Sequence, residues 1–191
     1  MNLPPFSALL LAGGRSTRMG VDKSSLLFEN KPLWQHQLAT LDQLSPSETL
    51  LSGHKNGPFQ ISSHPILEDP VDYAGPIAGI VQGLRHANTP WLLVLAIDIP
   101  YVPASYLAEL LQQAAPLKRG VVPQDTPWWQ PLAAVYPKTI LPLAEHCLSN
   151  PDRSMQHFIR AAISQDFLIS RPVTDAERPF FRNLNTPADL P

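Results

Sequence analysis

The chain has 191 residues, a formal net charge of −2, 44% hydrophobic residues and only 16% charged ones. That composition can bury a sizeable core and excludes global disorder, while the small net charge gives no general positive field for nucleic acid or an acidic membrane. One cysteine, Cys147, excludes an internal disulfide and a multi-cysteine zinc cage.

In chain order, the start has no basic leader region and its apolar run is too short for a signal peptide, so a cytoplasmic protein is expected. Phe6 to Ala12 is nearly unbroken apolar sequence, the mark of a strand covered on both faces, and stops at Gly13-Gly14. Pro32 to Leu41 reads as a helix with Leu33, Trp34, Leu38 and Leu41 on one face and Pro32 in its first turn. Glu48 to Ser52 is strand-like. Pro76 to Ala87 predicts a second helix, with Ile77, Ile80, Val81 and Leu84 inward. Trp91 to Ile97 is the second fully buried strand, ending at Asp98-Ile99-Pro100 and falling far short of the roughly 20 residues that cross a bilayer.

Ala104 to Ala115 predicts a third helix, Gly120 to Pro123 a strand, and Trp129 to Tyr136 one further strand. Beyond Pro137 the pattern is more helical and less regular. The alternation predicts an α/β protein, a three-layer Rossmann-like arrangement of a mostly parallel sheet with helices on both faces. The length predicts one domain over residues 1–191. The 22 prolines are roughly twice the number that average usage of about 5% would give. Several of them, including Pro70, Pro100 and Pro131, fall in the loops that carry the candidate chemistry.

Ligands of open α/β sheets bind beyond the carboxyl ends of the strands. After the first strand comes Leu11-Ala12-Gly13-Gly14-Arg15-Ser16-Thr17-Arg18-Met19-Gly20-Val21-Asp22-Lys23. The glycines let backbone N–H groups approach an anion, and Arg15, Arg18 and Lys23 supply cations, so the loop suits a polyphosphate. The alternative is a glycine turn with a solvated basic rim. Neither Walker spacing nor G-x-G-x-x-G is present. Asp98 leaves the second strand either to satisfy backbone donors in the next turn or to hold Mg²⁺ with substrate phosphates. Glu68, Asp69 and Asp72 precede Gly75, which opens the second helix toward a ligand.

The histidines at 36, 54, 64, 86, 146 and 157 show no close pair at metal-ligand spacing and are read as structural or surface groups. Cys147 reads as a small buried residue near a helix end, and Arg153-Ser154-Met155 as a surface helix start. Trp128 and Trp129, followed by Gln130-Pro131, read equally well as a site-lining loop or a packed strand edge.

Taken together, these motifs resemble the bacterial molybdenum cofactor guanylyltransferases, the MobA-like enzymes of the nucleotide-diphospho-sugar transferase fold. The matching residues run from Leu11-Ala12-Gly13-Gly14, Arg18-Met19-Gly20 and Asp22-Lys23 through Lys31-Pro32-Leu33, Glu68-Asp69 and Gly75-Pro76-Ile77-Ala78-Gly79. They continue at Asp98-Ile99-Pro100, Gln130-Pro131 and Asn183-Leu184-Asn185-Thr186-Pro187. The resemblance implies transfer of GMP from GTP to the phosphate of molybdopterin carrying molybdenum, with release of pyrophosphate; the alternatives are a related cytidylyltransferase or other nucleotidyltransferase acting on a phosphorylated acceptor, and a non-catalytic GTP-binding partner in cofactor delivery.

It implies that Leu11, Ala12, Gly13, Gly14 and Arg15 meet the nucleotide, with Ser52, Asp69 and Gly75 also at nucleotide-binding positions. Lys23 and Arg18 would hold the phosphates, Asp98 would be the magnesium ligand, and Asn183 and Asn185 would lie near the pterin. Ser52-Gly53-His54 departs from the Asn that family members often carry at the third place. The implied cofactor is Mg²⁺. The implied partners are the two substrates, with molybdenum-insertion proteins and chaperones of recipient enzymes; a monomer without nucleic-acid or membrane partners is expected.

Overall fold

A computed structural model describes residues 3–12, 26–53, 58, 62–68 and 75–184. Phe6–Leu11 forms β1, in which every residue is buried. A short hairpin, β2 (Leu27–Phe28) and β3 (Lys31–Pro32), leads into α1 (Leu33–Asp42). Then follow β4 (Glu48–Ser52), β5 (Ile66–Leu67), α2 (Pro76–His86), β6 (Trp91–Ala96) and α3 (Ala104–Leu117). The rest comprises β7 (Gly120–Asp125), β8 (Trp128–Trp129), β9 (Ala133–Pro137), α4 (Leu141–Ser149), α5 (Met155–Ser164) and β10 (Leu168–Pro172).

The main sheet has the order β10-β7-β9-β6-β1-β4-β5, with β8 paired to the end of β7. The parallel core is β6-β1-β4-β5, and β9 runs antiparallel between β6 and β7. Two buried strands, β6 wholly apolar and β1 apolar but for Ser7, can lie side by side at the centre because helices cover both faces of the sheet. Gly79 and Gly83 of α2 abut Leu11 and Ser52, then Leu9 and Leu92, so α2 lies on the face those side chains share. Tyr136, in register with Leu92, is on the same face and stacks on Phe158 of α5 at 5.9 Å. Phe6 points the other way, into a groove shared with Leu44 at the end of α1 and Ala108 of α3. The three layers expected from the alternation of elements are therefore present.

Two local expectations differ from the structure. Trp129 to Tyr136 is two strands rather than one: Gln130 N donates to Pro123 O and Ala133 N to Gln130 O, which turns the chain between β8 and β9. Pro131 sits inside that turn, where its missing N–H removes no ladder bond. Pro32 occupies the N-cap of α1 with extended backbone, not the first turn, whereas Pro76 does stand at the start of α2. Among the described residues, no helix is long and apolar enough to cross a membrane.

Candidate active site

The carboxyl ends of β1, β4, β5 and β6 terminate together. Leu11 is in register with Ser52 on one side and Ala96 on the other. Past the ladder, Ala12 N donates to Ser52 O at 2.9 Å, Ile97 N to Leu11 O at 3.2 Å and Gly53 N to Leu67 O at 3.1 Å. The side chains of Leu11, Ala12 and Ser52 are buried, at 7%, 6% and 2% exposure, so this edge is stiff where the chain turns toward Gly13.

Helix α2 completes that side. Gly79 lies over Leu11 and Ser52 while Gly83 lies over Leu9, so the helix runs back along β1 and its start projects beyond the strand end. Gly75 precedes it with φ of +71° in open space, a conformation that suits glycine. The first turn of α2 carries no acidic residue and no side-chain cap; Pro76 has no N–H and Ala78 N donates to Gly75 O at 3.2 Å, so what the helix start directs past the strands is its partial positive charge. Leu11, Ser52 and Gly75 are thus gathered at one edge.

Asp98 lies two residues beyond β6, half-buried. Its carbonyl accepts from Leu184 N at 2.8 Å, which brings exposed Asn183 alongside the Asp98 turn. Leu184 is completely buried against Phe28 and Leu33, with Leu26 and Tyr101 packed around them. This satellite core joins the hairpin that follows the first loop, the segment after Asp98 and the C-terminal segment. Gly13, Gly14, Arg15, Arg18, Lys23, His54, Asp69, Asp72 and Asn185 lie outside the described residues.

The donor chemistry suits a hard cation completed by a substrate. Among the described residues no group of three His, Cys, Asp or Glu side chains could form a closed metal cage. Mg²⁺ typically takes one or two carboxylates and fills its remaining positions with water and phosphate oxygens, so one aspartate at a strand end fits it.

Sequence periodicity did not single out Gln37. It lies in the buried stripe of α1 with Leu33, Trp34, Leu38 and Leu41, and its amide nitrogen donates to Ala96 O at 2.7 Å and Ile99 O at 3.1 Å. Its neighbour His36 donates through Nε2 to Pro100 O at 3.2 Å. The available signal was an amide inside an otherwise apolar helical face.

Other candidates resolve as structural groups. Trp129 is held by Ser170 through its indole N–H at 2.8 Å and by Gln156 through its backbone, so it is a packed strand residue; Trp128 is 63% exposed. Burial, reinforced by Asp152, pushes the Cys147 thiol up, opposite to what a nucleophile needs. Ser154 caps α5 by accepting from His157 N, and Arg153 is exposed beside it.

The MobA-like NTP transferase domain matches residues 8–166. The molybdenum cofactor guanylyltransferase of Pseudomonas putida is 34% identical over 156 residues, covering 81% of this chain and 82% of that protein. The probable molybdenum cofactor guanylyltransferase of Opitutus terrae is 30% identical over 191 residues, covering 98% and 94%. Among solved structures, molybdopterin-guanine dinucleotide biosynthesis protein A from Archaeoglobus fulgidus aligns with a TM-score of 0.74 and 25% identity, over 96% of this chain and 94% of that one. The 2-C-methyl-D-erythritol 4-phosphate cytidylyltransferase of Thermus thermophilus shares the fold, with a TM-score of 0.66 and 14% identity over 95% and 93% of the two chains. A domain match spanning most of the sequence, with relatives at this identity over nearly full length, means that the chain belongs to the MobA-like NTP transferase family.

Proposed function

We propose that this nucleotidyltransferase is a molybdenum cofactor guanylyltransferase. It transfers GMP from GTP to the phosphate of molybdopterin carrying molybdenum, forming the guanine dinucleotide cofactor and pyrophosphate. The observation that carries the assignment of sites is the bond from Leu184 N to Asp98 O at 2.8 Å. It ties the backbone beside Asn183, assigned here to the acceptor, to the turn that carries Asp98, assigned here to the phosphates.

In the reaction an oxygen of the pterin phosphate attacks the α-phosphorus of GTP as the bond from that phosphorus to the β-phosphate oxygen breaks. The attacking group is already ionised, so the protein needs no general base; positioning and charge neutralisation dominate. The buried ends of β1 and β4, at Leu11 and Ser52, present a stiff rim for the nucleotide, and the start of α2 after Gly75 turns the positive end of the helix dipole toward it. Lys23 and Arg18 are assigned to the triphosphate and the departing pyrophosphate, with Ala12, Gly13, Gly14, Arg15 and Asp69 on the nucleotide side. Asn183 and Asn185 are assigned to the pterin. Asp98 would hold Mg²⁺, which when bound neutralises phosphate charge and polarises the reacting phosphorus.

Asp98→Ala should lower turnover by about 10²-fold or more, the scale expected for removing a principal electrostatic stabiliser of the transition state. Pyrophosphate release measured with GTP and the pterin acceptor checks it. A variant within about twofold of the parent would remove Asp98 from the reaction.

A further inference from the structure

We infer that Gln37 is a positioning residue that staples the Asp98 turn, fixing the carboxylate for the cation and the nucleotide. This rests on the reading of Asp98 given above and adds to it a device on a different element, α1.

A glutamine amide nitrogen has two N–H donors. Gln37 uses that nitrogen for two carbonyls, Ala96 O at 2.7 Å and Ile99 O at 3.1 Å, which flank Ile97 and Asp98 on either side. The bonds therefore span the residue whose carboxylate is at issue. Around them, Ile97 N is tied to Leu11 O, Asp98 O to Leu184 N and Pro100 O to His36 Nε2. From Ala96 to Pro100, every residue thus has a backbone group held by β1, by α1 or by the C-terminal segment.

The cost of this arrangement is visible on the same side chain. Gln37 is completely buried, and its Oε1 has no hydrogen-bond partner among the described residues. An orphaned buried acceptor is unfavourable, and a residue selected for core stability at this point of an apolar stripe would be Leu or Met. Its amide is therefore better explained by the geometry it imposes than by the stability it adds. Replacing it with Met removes the donors and the orphaned acceptor together, two effects of opposite sign on stability. Stability should consequently move less than function.

The test compares Gln37→Met, His36→Phe and Asp98→Ala in the full chain. Mn²⁺ binding is followed by electron paramagnetic resonance with GTP present and the pterin absent, so no turnover is required; steady-state kinetics are measured separately. Gln37→Met should weaken Mn²⁺ binding and lower kcat by about 10–100-fold, the usual range for an outer-shell partner, with the KM for GTP at saturating metal within about twofold. His36→Phe should shift both in the same direction by about three- to tenfold, and keeps the proposal testable if Gln37→Met does not fold. Parental Mn²⁺ affinity and kcat in folded Gln37→Met, or in His36→Phe if it is the sole folded variant, would overturn the staple; loss of both in Asp98→Ala would leave Asp98 as the ligand. Unchanged Mn²⁺ binding and turnover in Asp98→Ala would overturn the reading of Asp98 itself and the staple with it.

Discussion

Gly79 shows how little room the site leaves. A Cβ there would lie 2.5 Å from Ser52 Oγ and 2.6 Å from Leu11 Cδ2, at the rim assigned to the nucleotide. In a helix, alanine is favoured over glycine by about 1 kcal/mol, whereas forcing a methyl into a packed interface costs about 1–3 kcal/mol. The steric effect should win. Gly79→Ala is expected to destabilise the protein by up to about 2 kcal/mol in urea unfolding and to raise the KM for GTP several-fold as α2 lifts from β1 and β4. A more stable variant with unchanged KM would mean that the helix start does not need this close approach. Gly75 is the opposite case: a Cβ would meet nothing within 4 Å, and the constraint is its φ of +71°.

Among the elements, the C-terminal segment depends on an ionic clamp at the sheet edge. Arg171 of β10 donates to Tyr106 and Glu109 of α3 and to both oxygens of Glu177, while its guanidinium carbon lies 4.5 Å from the Tyr106 ring centre. The 3₁₀ turn Arg178–Phe181 follows, with Phe180 and Phe181 edge-on to Tyr106, and leads directly to Asn183. The Arg171 hydrogen bonds hold the Glu177 carboxyl below its ordinary value of 4.5. A lowered folded-state value means the stabilisation is full above about pH 4.5 and fades as pH falls through the lower folded value. The pair is partly solvated, so Glu177→Gln should cost about 1–2 kcal/mol at pH 7, with the difference from the parent shrinking toward pH 3 in thermal melts. A pH-independent difference would mean that charge plays no part in the clamp.

The same edge explains what sequence patterns could not display. β10 reads Leu-Ile-Ser-Arg-Pro, half-buried, because it has a partner strand on one side only and no need for an unbroken apolar run. Its pairing with β7 is set by tertiary contact, which periodicity does not encode. β1 and β6, covered on both faces, were legible as apolar runs to within a residue of their ends.

For the whole molecule, the sheet order explains why residues so distant in sequence come to the same strand-end edge. β1 is central, so the segments leaving β4 and β6 emerge on either side of Leu11. The C-terminal segment then closes against Asp98 through Leu184. Leu11 and Asp98 were legible from the strand-end rule and Gly75 from the helix it opens, whereas Ser52 and Asn183 came from the family resemblance alone. Gln37 was not legible, because an amide in an apolar helical face signals a buried partner without saying which carbonyls it meets; tertiary contact decides that.

Guanylyl transfer itself is read by supplying α-labelled GTP, Mg²⁺ and molybdenum-loaded molybdopterin to the purified chain and following the label. The expected result is label in the pterin dinucleotide, one pyrophosphate released per labelled product, and little transfer from CTP or ATP. Pyrophosphate release without label on the pterin, or equal transfer from CTP, would contradict it.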